Sequence, residues 1–257
     1  MLSLTEIQQY YPTSLHGFKN FMLREYLQYK ILEIIFESEY SNKLCFLGGT
    51  CLRIVHNNSR FSEDLDFDNF DLTESDFKAI AGIIKKQLRR QGYEVEVDNV
   101  FAGAFHCYVK FPNLLFKEGL SGHIDEKFLI QLDTEPQHFD YKPEKVIINK
   151  FDVFTSINTT PPEVLLAQKF YALCNRKRKK GRDFFDILFL LKMVRPNYDY
   201  LEKKMGITTE KALKKQVLQV CGKISLDEMT KDVAPFLFNF SDAKQLHLFS
   251  DYIKQVF

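Results

Sequence analysis

Tryptophan is absent from this 257-residue sequence, and glycine (11), proline (8) and cysteine (5) are sparse. So little glycine and proline excludes long flexible linkers, and no repeat or low-complexity tract is present. The cysteines, Cys45, Cys51, Cys107, Cys174 and Cys221, are scattered, odd in number and free of any CxxC pair. They argue against a disulfide framework or a zinc site and suit a reducing cytoplasm. The longest apolar stretches, near Ile31–Phe36 and Phe184–Leu191 and each interrupted by one acid, fall far short of the roughly 18 residues a membrane helix needs. The N-terminal MLSLTEIQQYY lacks a basic segment followed by an apolar one, so a secretory signal is not expected. An excess of charge is also missing: 35 Lys+Arg against 34 Asp+Glu leave a net +1. A uniformly basic nucleic-acid coat, an acidic tail and a membrane-surface module are disfavoured.

Aromatic rings are abundant, with 25 Phe and 12 Tyr, and predict a core built largely from them. Apolar spacing predicts a helix within 15–40, a short buried strand at 44–50, a helix from Thr50 to about His56 followed by a polar loop at 57–61, and an amphipathic helix over 75–91. Strands are expected at 64–70, 93–97, 104–111 and 127–135, with one or two more in 146–160. From Pro161-Pro162 onward the pattern turns helical, with Thr160 as the expected N-cap, a basic loop at 176–182, an apolar helix over 183–194, and breaks near Gly206, Gly222 and Pro235. Mixed patterns followed by helices predict an α+β N-terminal half, 1–160, and a helical C-terminal half, 161–257.

The densest chemical signal runs from Leu47-Gly48-Gly49-Thr50 to Arg60-Phe61-Ser62-Glu63-Asp64-Leu65-Asp66-Phe67. Asp64 and Asp66 are two apart on an expected strand, so both side chains share one face. Carboxylates at that spacing repel unless a cation lies between them. Mg²⁺ or Mn²⁺ suits such a pair, being a hard ion that takes oxygen ligands and keeps phosphate oxygens in its shell. Gly48-Gly49 reads as a turn whose backbone approaches a ligand, and Thr50 as the start of a helix; glycine turns and helix N-termini bind phosphate. The conjunction, with Arg53, Arg60 and Ser62 in between, has the layout of nucleotidyl transfer. Taken singly, an Asp-x-Asp is usually a pair of solvated strand residues and a Gly-Gly usually a turn. A third carboxylate is expected from a later strand, and Asp133 in LIQLDTE is the candidate, its bland alternative being an ordinary strand-end residue.

Lys169 sits in an otherwise apolar helix, LLAQKFYAL, where it either snorkels to water or meets phosphate oxygens as a point charge. Arg176, Lys177, Arg178, Lys179, Lys180 and Arg182 form a basic run suited to the phosphate backbone of RNA or, more blandly, to a solvated loop. Arg182 and Asp183 could simply cap the next helix. The near-zero net charge conceals a division. Residues 1–150 hold 17 basic and 22 acidic residues, a net −5; residues 151–257 hold 18 and 12, a net +6. The acidic half suits a metal site and the basic half a polynucleotide.

The segments FLGGTCLRIVHNNSRFSEDLDF, IQLD and LLAQKFYALCNRKRKKGRDFFDI resemble the AbiEii-type nucleotidyltransferases, toxins of type IV toxin–antitoxin and abortive-infection systems within the DNA polymerase beta-like superfamily. The likeness spans about residues 15–195. It implies a five-strand-type nucleotidyltransferase core with flanking helices, a helical C-terminal domain, and Mg²⁺-dependent transfer of an NMP from an NTP. By position it puts Gly48, Gly49 and Thr50 on the phosphate side; together with Arg53, Ser62 and Lys169 these form the expected nucleotide-binding set. It makes Ser62 and Asp64 the functional Ser-x-Asp, Asp66 the second metal carboxylate, Lys169 the family lysine and Asp183 the late catalytic aspartate, with Asp186 as the alternative. The superfamily turn is more often Gly-Ser, so the Thr50 hydroxyl is expected to replace the serine. Asp133 is expected to hold a second metal or activate the attacking hydroxyl. The likeness further implies an RNA acceptor, notably a tRNA 3′ end, a role in phage defence and a cognate antitoxin. The alternatives are a protein acceptor, or a nucleotide- or antitoxin-binding module without transferase activity.

Overall fold

The computed structural model describes residues 1–257. Two compact units make up the chain. The first comprises Met1–Asn57, Phe61–His138 and Pro143–Thr159; the second comprises Asn58–Arg60, Phe139–Lys142 and Thr160–Phe257. The first is α+β and the second helical, the class expected from the order of sequence patterns.

The first unit is built on a seven-stranded mixed sheet in the order β3-β4-β5-β2-β1-β7-β6. Its strands are β1 (Leu44–Leu47), β2 (Leu65–Asn69), β3 (Glu96–Ala102), β4 (Ala104–Phe111), β5 (Phe128–Thr134), β6 (Glu144–Lys150) and β7 (Val153–Thr159). The pairs β2/β5 and β1/β7 are parallel and the others antiparallel. Two strands more are present than the five-strand-type core implied. The segment 144–159 pairs with itself as a hairpin and joins the sheet through β7, beside β1.

Period-two alternation divides the faces of the central strands. Cys107, Val109 and Phe111 on β4, Ile130 and Leu132 on β5, and Leu65 and Phe67 on β2 are buried. On the opposite face His106, Tyr108, Gln131, Asp133 and Asp66 are only half-buried. The helices of this unit are α1 (Leu4–Gln8), α2 (Lys19–Phe36), α3 (Gly48–Ile54), α4 (Glu74–Arg90) and α5 (Leu114–Lys117). Helix α4 begins with a capping box: Thr73 Oγ1 accepts from the Asp76 amide at 3.1 Å, and the Thr73 amide donates to Asp76 Oδ2 at 3.0 Å. Phe77, Ile80, Ala81, Ile84 and Leu88 then form its buried stripe.

The second unit carries α6 (Pro162–Asn175), α7 (Gly181–Leu190), α8 (Tyr198–Met205), α9 (Glu210–Cys221), α10 (Leu226–Val233) and α11 (Phe249–Val256). Thr160 is not the cap of α6. Extended Pro161 holds that position without a side-chain bond, and the Thr160 hydroxyl pairs with Tyr141 Oη at 3.0 Å. Nor does Asp183 cap α7, since Lys180 stands there and Asp183 is buried in the first turn. Gly181 opens α7 because backbone must lie against backbone: a Cβ there would overlap the Met229 carbonyl. The expected breaks are present, with Gly206 in the left-handed conformation at φ +68° and a 3-10 turn over Ala234–Phe236. No helix is long and apolar enough to cross a membrane.

Candidate active site

The polar face of β4, β5 and β2 carries the candidate chemistry. Register aligns Asp66 of β2 with Asp133 of β5 and, on the other flank, with Leu47 of β1. Asp133 is in turn the direct partner of His106 on β4. One row across the sheet therefore reads His106, Asp133, Asp66, Leu47. Asp64 stands immediately ahead of β2, two residues before Asp66.

Next to Leu47, Gly48 lies against Asp66. It adopts φ +80°, and a Cβ there would sit 2.9 Å from Asp66 Cβ and Cγ and overlap Oδ2. Helix α3 begins at Gly48, two residues before the expected start at Thr50, so the two glycines are its first residues and not a turn ahead of it. Thr50 is a correction. The expectation gave its hydroxyl to a phosphate, but the side chain is fully buried and Oγ1 donates to the Asp64 carbonyl. The two preceding carbonyls are also held: Gln28 Nε2 donates to Ser62 O at 3.2 Å and Glu63 O at 2.9 Å. Buried donors thus grip the main chain of Ser62–Asp64 just before β2.

Asp133 is tied within the sheet. His106 Nδ1 lies 2.7 Å from its Oδ1, and Gln131 Nε2 donates to both oxygens at 2.9 Å. Asp68, also on the polar face of β2, is buried and accepts from the Gln137 amide at 2.8 Å. Arg24 is nearby. Burial lowers its pKa, and the charges of Glu63 and Asp64 oppose that effect. Arg53, expected at the nucleotide, has its guanidinium engaged by buried Glu25, with Nε 2.7 Å from Oε2; Lys150 meets Oε1 at 2.6 Å. Burial alone would raise the Glu25 pKa, but Arg53 and Lys150 outweigh it and hold the carboxyl below its ordinary value.

The donors offered by Asp64, Asp66 and Asp133 are carboxylate oxygens, which match a hard divalent cation in chemistry. No three His, Cys, Asp or Glu side chains are gathered closely enough to form a ready ligand group. What the sheet provides is the registered pair Asp66–Asp133, with Gly48 packed so closely on Asp66 that a Cβ would overlap Oδ2.

In the second unit Lys169, Asp183 and Asp186 come together. Lys169 Nζ is 2.8 Å from Asp186 Oδ2 and 3.3 Å from Asp183 Oδ1. Arg60, expected in a polar loop, is almost wholly buried and grips Asp186 with both Nε and Nη2 at 2.7 Å. Asn58 Nδ2 donates to Asp186 Oδ1 at 2.9 Å, and Arg176 Nη1 meets Asp183 Oδ2 at 2.7 Å. Burial opposes the charge on Lys169, yet Asp186 and Asp183 hold its pKa above the usual lysine value. Asp186 is likewise penalised by burial, but Arg60 and Lys169 bring it down to about 2.

The basic run is divided by its contacts. Arg176 serves Asp183, Lys179 Nζ donates to the Cys174 carbonyl at 2.9 Å, and Arg182 lies over the Phe236 ring at 4.3 Å. Lys177 and Arg178 are exposed, and Lys180 is half-buried at the cap of α7.

His106, Gln131 and Asn58 belong to these clusters without any role assigned from the sequence, and Arg60 enters the sequence reading only as a residue between the glycines and the carboxylates. A single histidine in a strand and an arginine in a polar loop carry no local signal, because their partners are brought to them by the fold.

No curated protein matches the sequence. Two solved structures from Helicobacter pylori share the fold. The protein JHP933 aligns with a TM-score of 0.55 at 16% identity over 92% of this chain and 93% of its own. A second, named provisionally as a nucleotidyltransferase, aligns with a TM-score of 0.56 at 16% identity over 91% of this chain and 95% of its own. The profile of the family described as "Nucleotidyl transferase AbiEii toxin, Type IV TA system" matches residues 30–247. That match takes in both the carboxylate row and the buried ion cluster, and the chain belongs to the AbiEii family of nucleotidyltransferase toxins of type IV toxin–antitoxin systems.

Proposed function

We propose that this nucleotidyltransferase moves a nucleoside monophosphate from an NTP to an acceptor hydroxyl of RNA, with a tRNA 3′ end as the preferred acceptor. The observation that carries the reading is the registered pair Asp66–Asp133 beside Gly48. Asp66 and Asp133, joined by Asp64, would hold Mg²⁺ or Mn²⁺. Such an ion supplies charge neutralisation at the triphosphate and a lower pKa for a bound hydroxyl. Gly48, lacking a side chain, lets Asp66 keep its place against the start of α3. The buried donors on the Ser62–Asp64 carbonyls keep the carboxylates from drifting, which matters because misplacement of reacting groups by about 1 Å can cost around 100-fold in rate.

Three cations, Lys169, Arg60 and Arg176, meet two carboxylates, Asp183 and Asp186, in the second unit. The surplus is positive, the sign a triphosphate or an RNA backbone requires. Lys169 is the residue we assign to phosphate, with Asp183 and Asp186 holding it in place. Exposed Lys177 and Arg178 support an RNA acceptor over a protein one. Five scattered cysteines suit a cytoplasmic enzyme, and membership of a type IV toxin–antitoxin family supports restraint by a cognate antitoxin.

The test offers the protein each of four α-labelled NTPs with Mg²⁺ and total RNA or total protein. Label should enter RNA with wild type and be lost in Asp66→Asn and Asp133→Asn variants that melt normally. Label entering protein instead would replace the acceptor, and full labelling by a folded D66N would remove Asp66 from the mechanism.

A further inference from the structure

We infer that His106 is a positioning residue of the transfer site, fixing Asp133 so that one oxygen lone pair is left for the reaction. This rests on the reading of Asp133 as a member of that site.

The residues flanking His106 define its part. Across β3, β4, β5, β2 and β1 the registered row reads Val100, His106, Asp133, Asp66, Leu47. His106 is the last polar residue on its side, between Val100 and the carboxylate pair. It remains half-buried, as does Asp133. An ionised carboxylate only accepts hydrogen bonds, so the ring nitrogen facing it at 2.7 Å, Nδ1, carries the proton and donates.

Lone-pair arithmetic sharpens the assignment. A carboxylate offers about four lone-pair sites. His106 and Gln131 occupy two on Oδ1, and Gln131 occupies one on Oδ2. One site remains, and it belongs to Oδ2. Asp133 is thereby limited to a single further contact, to a metal or to a hydroxyl, in a fixed direction. Gln131 reaches Asp133 along its own strand, whereas His106 reaches it from the neighbouring strand and ties the carboxylate to the sheet. Outer partners of this kind orient a working carboxylate, and their loss typically costs about 10- to 100-fold in metal affinity or activity.

The experiment compares the full-length wild type with His106→Phe, His106→Asn and His106→Gln. Phe keeps a ring and removes the donor. Asn places an N–H near the position of Nδ1, and Gln places one near Nε2. With total RNA and the NTP that wild type transfers, H106F should lose about 10- to 100-fold in kcat while the KM for NTP moves less than about 3-fold. Mn²⁺ affinity, read from the EPR signal of the free ion, should weaken by about 10-fold. H106N should recover to within about 5-fold of wild type, and H106Q should fall below it. Wild-type kcat and Mn²⁺ affinity in H106F overturn the inference. So does equal damage in H106F and H106N, which would indicate packing. If H106F does not fold, the order of H106N over H106Q carries the test, and the reverse order overturns it. An inactive wild type would remove the functional reading first and this inference with it. An active wild type beside an equally active H106F removes the inference alone.

Discussion

Gly48 and Asp66 approach so closely that no side chain fits between them: a Cβ on Gly48 would overlap Asp66 Oδ2. The first residue of α3 and the central carboxylate of the sheet are therefore coupled through the absence of one methyl group. Gly48→Ala strains the backbone at φ +80° and pushes Asp66 aside. The backbone penalty alone is about 1–2 kcal/mol. The variant should melt a few degrees lower and lose at least about 10-fold in nucleotide transfer, because displacement of a working carboxylate is felt more in rate than in stability. Melting temperature and single-turnover labelling, measured on the same preparation, separate the two effects.

A second relationship governs the helical unit. Asp186 is completely buried and gripped by Arg60, Lys169 and Asn58. Asp186→Asn removes the charge that compensates Arg60 and Lys169, and uncompensated buried charge typically costs about 3–5 kcal/mol. Lys169→Met should cost less, about 1–3 kcal/mol, because Arg60 still satisfies Asp186 and Arg176 still satisfies Asp183. Activity adds a separate readout: K169M, folded, should lose phosphate binding and raise the KM for NTP. Urea titrations of both variants check the stability order, and a K169M variant less stable than D186N would contradict it.

The same carboxylate predicts an acid response. Its folded pKa, about 2, lies below the ordinary value of 3.8. A depressed carboxyl stabilises the fold fully above the unfolded pKa, where it is ionised in both states. As pH falls from about 4 toward 2 the unfolded chain takes up the proton first, and the contribution of about 2 kcal/mol drains away. Urea midpoints for the wild type should drop over that interval more steeply than for D186N, which has nothing left to protonate there. Parallel slopes would mean that other carboxyls dominate.

What the sequence displays and what it hides follow from the range of each contact. The alternation in β2 and the glycines at its flank are local, so period and composition alone make them visible. The buried stripe of α4 and the capping pair Thr73–Asp76 are equally local. Asp133 reads as a strand-end acid, but its alignment with Asp66 depends on a parallel register that no local pattern encodes. His106 is invisible for the same reason, since its partner belongs to another strand. Thr50 misleads because a hydroxyl after two glycines looks like a phosphate donor, whereas the tight packing of α3 on β2 turns it toward the Asp64 carbonyl. Lys169 is legible as an oddity in an apolar helix, but the carboxylates that make it tolerable, Asp183 and Asp186, come from the next helix. Arg60 lies in a segment that reads as polar loop, and only the fold supplies the buried acid that it needs.

The basic run offers a prediction in which two neighbouring parts of one loop behave differently. Lys177 and Arg178 are exposed, whereas Arg176 is bonded to buried Asp183. If the loop meets an RNA backbone, a double Lys177→Ala, Arg178→Ala variant weakens RNA binding with little effect on folding, since exposed side chains away from packed features usually contribute within about 0.5 kcal/mol. Removing one cation from a phosphate should reduce the slope of log affinity against log salt by about 0.7–1, so the double variant should lower it by about 1–2. Arg176→Ala differs in kind: it strips a partner from Asp183, so it should lower the melting temperature as well as affinity. Filter binding of total tRNA at several salt concentrations, with melting curves for each variant, distinguishes the two. An unchanged salt slope in the double variant would remove this loop from the RNA interface and leave the positive charge of residues 151–257 to act elsewhere on the helical unit.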